Sequence, residues 1–363
     1  MRAFERFSHR FDWPLFTAIV ALLAIGMMNL YSASETSGRS LFAAQMVWLV
    51  FGVVGAVATT AIDYRHFYRA SGFTYAAGIV LLVLVLAVGK NLNGAQRWLY
   101  VGIWLQPSEP MKVLAVLALA KLLHDEGASQ SERRHYPLLQ ILVALLPIVL
   151  ILRQPDLGTA AVVGLILGSM LVAVRLPAGA FVPLIVAGLI SLPLCWRFVL
   201  TAYQRRRIVT FLNPTRDPSG AGWQARQALL AIGAGGVSGM GFMRGTQNVL
   251  NFVPERWTDF PFAVLAEEWG LFGGLLVIGL YTLAVVRALR IAMDARDRFG
   301  SVTAVGVGAL IFWHAVLNLA MVMGLMPVVG ITLPFLSYGG SSLVTMLGAS
   351  GLLLNVGLRR VTY

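Results

Sequence analysis

Cysteine and acidic side chains are scarce in this chain, and each scarcity excludes something. Cys195 is the single cysteine, so there is no disulfide framework and no thiolate metal site. The five histidines, His9, His66, His124, His135 and His314, are scattered without the spacing of metal ligands. Only 12% of the 363 residues are charged, with 16 acids against 28 Lys and Arg, while 58% are hydrophobic. Mean hydropathy is +0.77, which no soluble domain of this size requires. The glycine-rich run Gly233–Gly241 lacks a Gly-Lys-Ser/Thr ending, so it is no phosphate-binding loop of the nucleotide type. Neither internal repeats nor low-complexity segments stand out.

What is present is a series of apolar runs of about 20 residues, the length that crosses a bilayer core. The pattern predicts an all-α polytopic membrane protein of about ten transmembrane helices, over roughly 13–31, 42–61, 71–89, 107–124, 136–152, 157–174, 179–200, 260–288, 300–323 and 338–357. The stretch after Pro14 has span length and no A-x-A-like site after it, so it reads as a first helix rather than a cleaved signal. With the N-terminus in the cytoplasm, the inside segments hold Arg2, Arg6, Arg10, Arg65, Arg69, Lys121, Arg133, Arg134, Arg175, Arg287, Arg290, Arg296, Arg298, Arg359 and Arg360. The short outside loops hold only Arg39, Lys90, Arg97 and Arg153. The positive-inside rule therefore puts both termini in the cytoplasm. Residues 1–363 read as a single transmembrane domain with one large extracytoplasmic loop, 201–259.

That loop is basic, with Arg205, Arg206, Arg207, Arg216, Arg226, Arg244 and Arg256 against Asp217, Glu255 and Asp259. Anionic headgroups account for such a loop, and so does a cradle for a phosphate-bearing substrate. Within it Trp223–Ile232 reads as a short amphipathic helix at the interface. Gly233–Gly241 offers a backbone able to approach a ligand closely.

Polar residues mark one side of the bilayer. Asp259 stands where the eighth span begins. An acid at that depth is a functional-site hypothesis, and capping of the next helix is the plainer account. Glu109 and Lys112 share a face of the fourth span at i,i+3, either as a structural ion pair or as a lining for a site beside Asp259. Asp156 follows Pro155 in a tight turn and suits an N-cap; Arg97 lies in a neighbouring outer loop. The last outer loop, 327–342, is too apolar for a solvated connector and is expected to re-enter the membrane, because irregular backbone at that depth must be buried or line a cavity.

Taken together, GAQRWLYVGIWLQPSEPMKV, QPDLGTA, YQRRRI with NPTRDPSGAGW, GTQNVLNFVPERWTDFPFAVLAEEWGLFG and MPVVGITLPFLSYGGSS resemble the SEDS family (shape, elongation, division and sporulation) in its order. Gly245-Thr246-Gln247, Pro327–Gly330 and the lack of long tails point to its rod-shape branch, with the division branch as the near alternative. The resemblance implies a peptidoglycan glycosyltransferase in the bacterial cytoplasmic membrane, polymerising lipid II at the extracytoplasmic face. The implied partners are a class B penicillin-binding protein, other elongation-complex proteins and membrane lipids, with no nucleic acid. It implies Asp259 as the essential acid and Glu109 with Lys112 as the polar pair. Trp257 is a departure, since the family often has His before Thr-Asp.

The chemistry then expected has Asp259 as general base on a sugar hydroxyl. Lys112, Arg205 and Arg207 would stabilise the departing pyrophosphate. Arg97, Glu109, Asp156, Gln247, Glu255, Thr258, Ser337 and Ser341 complete the expected substrate-binding set. No ligand cluster demands a metal, and a divalent cation (Mg or Mn) is an optional assistant. The rivals are a lipid II flippase and a non-catalytic scaffold.

Overall fold

The computed structural model describes residues 10–35, 41–92, 95–100, 102–128, 137–175, 196–197, 200–213, 220–250 and 252–360. Among the described residues seven helices are long and apolar enough to cross a membrane: α1 (Trp13–Glu35), α2 (Leu41–Ala61), α3 (Tyr64–Val88), α6 (Leu157–Arg175), α10 (Pro261–Met293), α11 (Arg298–Val322) and α12 (Gly340–Leu358). Two more expected spans are also helical, α4 (Ser108–Ala128) and α5 (Pro137–Arg153). The expected span 179–200 and the turn signals at 214–219 lie outside the described residues.

Helix α4 is the centre of the bundle. Met111, Lys112, Ala115 to Ala120 and Leu123 are all buried, as expected of a helix covered on every side. Around the rim the lipid-facing side chains are left exposed, among them Val54, Phe73, Val80, Phe272 and Met293. Helix α3 begins at Tyr64, seven residues before the apolar run. Asp63 caps it by accepting from Arg65 N at 3.0 Å, and Arg65, His66 and Arg69 extend it to the surface.

Small and hydroxylated residues bring α2 and α12 together. Thr59 Oγ1 donates to Gly348 O at 2.9 Å and Thr60 Oγ1 to Gly351 O at 3.0 Å, while Asn355 Nδ2 donates to Thr59 O at 2.6 Å. In lipid such contacts, with the close approach that glycine permits, replace the hydrophobic effect as the force between helices.

The fold departs from a purely helical one between α3 and α4. There β1 (Lys90–Leu92), β2 (Ala95–Tyr100) and β3 (Trp104–Leu105) form a small antiparallel sheet, with Lys90 opposite Trp98 and Leu99 opposite Leu105. Tyr100 and Trp104 pair their rings at 5.0 Å. Strands this short leave little periodic signal, but they fix Arg97 on a rigid element.

The polar interval before α10 contains α7 (Ala202–Leu212), α8 (Ala221–Gly235) and the single turn α9 (Thr246–Val249). Helix α8 includes the expected amphipathic stretch, with Leu229 and Leu230 exposed. The glycine-rich run after it does approach something closely, but that is the chain's own backbone. Helix α10 breaks at Gly270, which has φ 66° and ψ −159°. The carbonyls freed there accept from Met240 N (3.0 Å to Glu267 O) and Gly241 N (2.9 Å to Glu268 O), and Leu271 N donates to Gly236 O at 3.0 Å. A Cβ at Gly270 would strike Gly239 N and Val237 O. We expect Gly270→Ala to cost about 1–3 kcal/mol through positive-φ strain, read as a lowered melting temperature of the purified protein.

Candidate active site

The segment 252–260 folds into consecutive turns that end at the N-terminus of α10. Glu255 takes φ 48°, so that its carbonyl accepts from Thr258 N at 3.1 Å and Asp259 N at 2.9 Å. Three successive carbonyls are then held from outside. Tyr338 N donates to Trp257 O at 2.7 Å, Ser337 Oγ to Thr258 O at 2.6 Å, and Asn318 Nδ2 to Asp259 O at 2.9 Å. Asn318, buried on α11, also donates to Ile331 O at 2.7 Å, tying the loop to the segment before α12. That segment is irregular and packed inside the protein, with Val328, Ile331, Leu333, Phe335 and Leu336 buried.

Asp259 does not cap α10. The residue at that position is Phe260, without a side-chain cap bond, and helix formation starts with Pro261 at N1, a place where proline loses no hydrogen bond. The Asp259 carboxylate instead lies beside Gly330, where an added Cβ would sit 3.5 Å from Oδ2. Burial raises its pKa to about 6, helped by the Glu255 charge and opposed by the Arg207 and Arg97 charges and by the Thr258 hydrogen bond. A carboxyl so placed exchanges protons near neutrality, as a general base must.

The cations nearest in effect are thus Arg207 and Arg97. Arg207 Nη1 donates to Val328 O at 2.7 Å. Arg97, on β2, lies 3.5 Å from Asp156 Oδ2. Asp156 also caps α6 by accepting from Thr159 N at 3.2 Å, the N-cap expected of it, and keeps its other oxygen on Arg97. Gln106 joins this group, its Nε2 reaching Asp156 Oδ2 at 3.5 Å and its N donating to Ser341 Oγ at 3.1 Å.

Other expected residues fall elsewhere. Arg205 Nη2 donates to Arg197 O at 2.9 Å. Gln247 meets the buried carboxylate of Glu267 through its backbone N at 2.7 Å. Lys112 and Glu109 pair at 2.8 Å, and Lys112 Nζ also contacts His314 Nε2 at 2.9 Å. All three are buried. His314 lies one helical turn from Asn318 on α11, which sets this triad one turn further along that helix than the Asp259 carbonyl. His314, Asn318 and Arg256 are the residues that sequence reasoning missed. Arg256 is buried and donates to Ala33 O at 3.1 Å and Asn248 O at 2.7 Å, which anchors the loop to the end of α1.

Among the described residues no three His, Cys, Asp or Glu side chains converge as a metal site. A divalent cation here would have Asp259 and Glu255 as its loop carboxylates and would draw its remaining ligands from a substrate.

A buried helical bundle that positions an acid of raised pKa among arginines at one end is the frame of a membrane-embedded enzyme. The chain belongs to the FtsW/RodA/SpoVE family of cell cycle proteins, whose model matches residues 13–361. It is 36% identical to the peptidoglycan glycosyltransferase MrdB of Escherichia coli K12 over 96% of this chain and 94% of that one. To the probable peptidoglycan glycosyltransferase FtsW of Trichlorobacter lovleyi it is 38% identical, over 95% and 93%. Among solved structures it resembles a chain of a peptidoglycan synthase complex that coordinates polymerization and crosslinking, with TM-score 0.82 and 33% identity over 96% of this chain and 97% of that one. The chain is a glycosyltransferase of this family.

Proposed function

We propose that the protein polymerises lipid II into glycan strands at the extracytoplasmic face of the bacterial cytoplasmic membrane, in cell elongation. The observation that carries this reading is Asp259, a carboxyl raised to about 6, on a loop held at three consecutive carbonyls. A hydroxyl of the acceptor sugar gives its proton to Asp259 while its oxygen bonds to the anomeric carbon of the donor. The bond from that carbon to the diphosphate breaks, and the undecaprenyl diphosphate leaves with the electron pair. Direct displacement inverts the anomeric centre; a covalent glycosyl intermediate would need a second carboxylate as nucleophile, and the neighbouring Glu255, which accepts from Thr258 Oγ1 at 3.3 Å, is given no such part in this reading.

Arg207 and Arg97 are the cations that support charge development at the diphosphate. Lys112 sits in its own triad, and its part is to fix the floor of the site through α4 and α11. Ser337 and Ser341 serve by holding backbone, and Thr258 holds Glu255 O while also hydrogen-bonding the Asp259 carboxyl. A flippase asks for polar groups along a whole path, whereas Lys112 and Glu109 are spent on each other and on His314. The elongation role rests on Gly245-Thr246-Gln247 and Pro327–Gly330, since identity to rod-shape and division relatives is alike. Complementation of elongation-deficient against division-deficient cells separates the two.

Activity should depend on pH with a midpoint near 6. Below it Asp259 is protonated and the rate falls about tenfold per pH unit; above it the rate is flat. Glu255→Gln removes an anion and lowers the midpoint, and Arg207→Gln removes a cation and raises it. Polymer yield from lipid II, with a class B penicillin-binding protein present, measures both, and a midpoint unmoved by either change contradicts the assignment.

A further inference from the structure

At the opposite end of the bundle, α1, α2 and α12 enclose an open apolar cavity of about 1170 Å3. Val20, Val53 and Val57 line it and are exposed, so the protein leaves this wall for something else to cover. At one end of the cavity stand Arg10 and Arg359. Among the described residues every nearby acid is engaged. Asp12 takes Arg287 Nη2 at 2.6 Å and lies 3.5 Å from Arg360, Asp294 takes Arg360 at 3.0 Å, and Asp63 lies 3.7 Å from Arg359. Arg359 is further fixed by Ala61 O at 3.0 Å and Asn355 Oδ1 at 2.8 Å. Arg10 makes no ion pair among the described residues.

We propose that this cavity is a binding site for an anionic phospholipid, with acyl chain along Val20, Val53 and Val57 and phosphate at Arg10 beside Arg359. Two features select this occupant. The walls belong to helices of membrane-spanning length and composition, so what meets the valines is apolar and chain-shaped. The mouth carries Arg10, which has no counter-ion among the described residues, and basic pockets between helices on the cytoplasmic side take anionic headgroups. A transmembrane helix of a partner fits less well. Its own cytoplasmic flank carries Lys and Arg under the positive-inside rule, which would set like charges together at Arg10. The site lies at the other end of the bundle from Asp259, and its occupancy is read without any polymer being made, so its failure would leave the catalytic reading untouched.

The full chain, purified in detergent and given equal amounts of phosphatidylglycerol and phosphatidylcholine, is examined by native mass spectrometry. The wild type should retain phosphatidylglycerol preferentially. Arg10→Gln should reduce that preference about fivefold, the effect of one basic residue at a lipid headgroup. Val57→Trp, on the open wall, should displace both lipids while the melting temperature without lipid stays unchanged. Equal retention of the two lipids by the wild type overturns the proposal, as does an unaltered preference in Arg10→Gln. So does a photocrosslinker at Val57 that captures a polypeptide in cells in place of lipid.

Discussion

Asp259→Asn is expected to lower glycan synthesis from lipid II by about 10²–10⁴-fold, the range that a positioned general base contributes, while the protein folds and accumulates as before. The separation follows from how the residue is held. Its fixed point is its backbone carbonyl, which accepts from Asn318 at 2.9 Å, and the neighbouring carbonyls of Trp257 and Thr258 are held by Tyr338 and Ser337. None of these bonds uses the carboxylate. Asparagine keeps the shape and loses only the proton acceptor. Synthesis by the purified variant with its transpeptidase partner within a few-fold of wild type would remove Asp259 from the chemistry.

Lys112 gives the second large effect, and in stability first. Its ammonium is buried between the Glu109 carboxylate at 2.8 Å and the His314 ring at 2.9 Å. Lys112→Ala leaves a carboxylate without its cation inside the bundle, and removing one partner of a buried pair costs about 3–5 kcal/mol. We expect poor accumulation and a lowered melting temperature. The double variant Glu109→Gln, Lys112→Met removes both charges and should recover most of the stability, because a neutral pair of similar volume is often tolerated. Polymer synthesis by that stable double variant then separates the two roles. Near-normal rates mean the pair serves packing alone, and a large loss in a well-folded protein means that the charge acts on substrate.

Much of the architecture was legible because membrane solvation constrains composition so strongly. Nine of the ten apolar runs correspond to α1–α6 and α10–α12, and the apolar segment 327–342, expected to re-enter the membrane, is irregular backbone with Val328, Ile331, Leu333, Phe335 and Leu336 buried. The small three-stranded sheet was invisible, since strands of two to six residues carry no pattern against a hydrophobic background. The break in α10 was equally hidden: Gly270 lies in a run with the look of an ordinary span, and only the approach of Gly239 distinguishes it. At the site, Asp259 was read from its cost in lipid, and Asp156 from its turn. The clamp was not readable, because its acceptors are backbone carbonyls that every sequence possesses. His314 escaped for a related reason. It stands 202 residues from Lys112, and the fold alone makes them neighbours.

The three held carbonyls of the Asp259 loop have a consequence for repeated addition. A base fastened both to α11 and to the segment before α12 cannot follow a growing chain. In the proposed reaction, after each new bond the glycan itself must shift by one unit to return its diphosphate-bearing end to the donor position, while the next lipid II brings a fresh hydroxyl to the same carboxylate. On that proposal advance is a property of the sliding product, and the grip of the arginine-lined end on that product, more than any motion of the base, is expected to set how many sugars are joined before release.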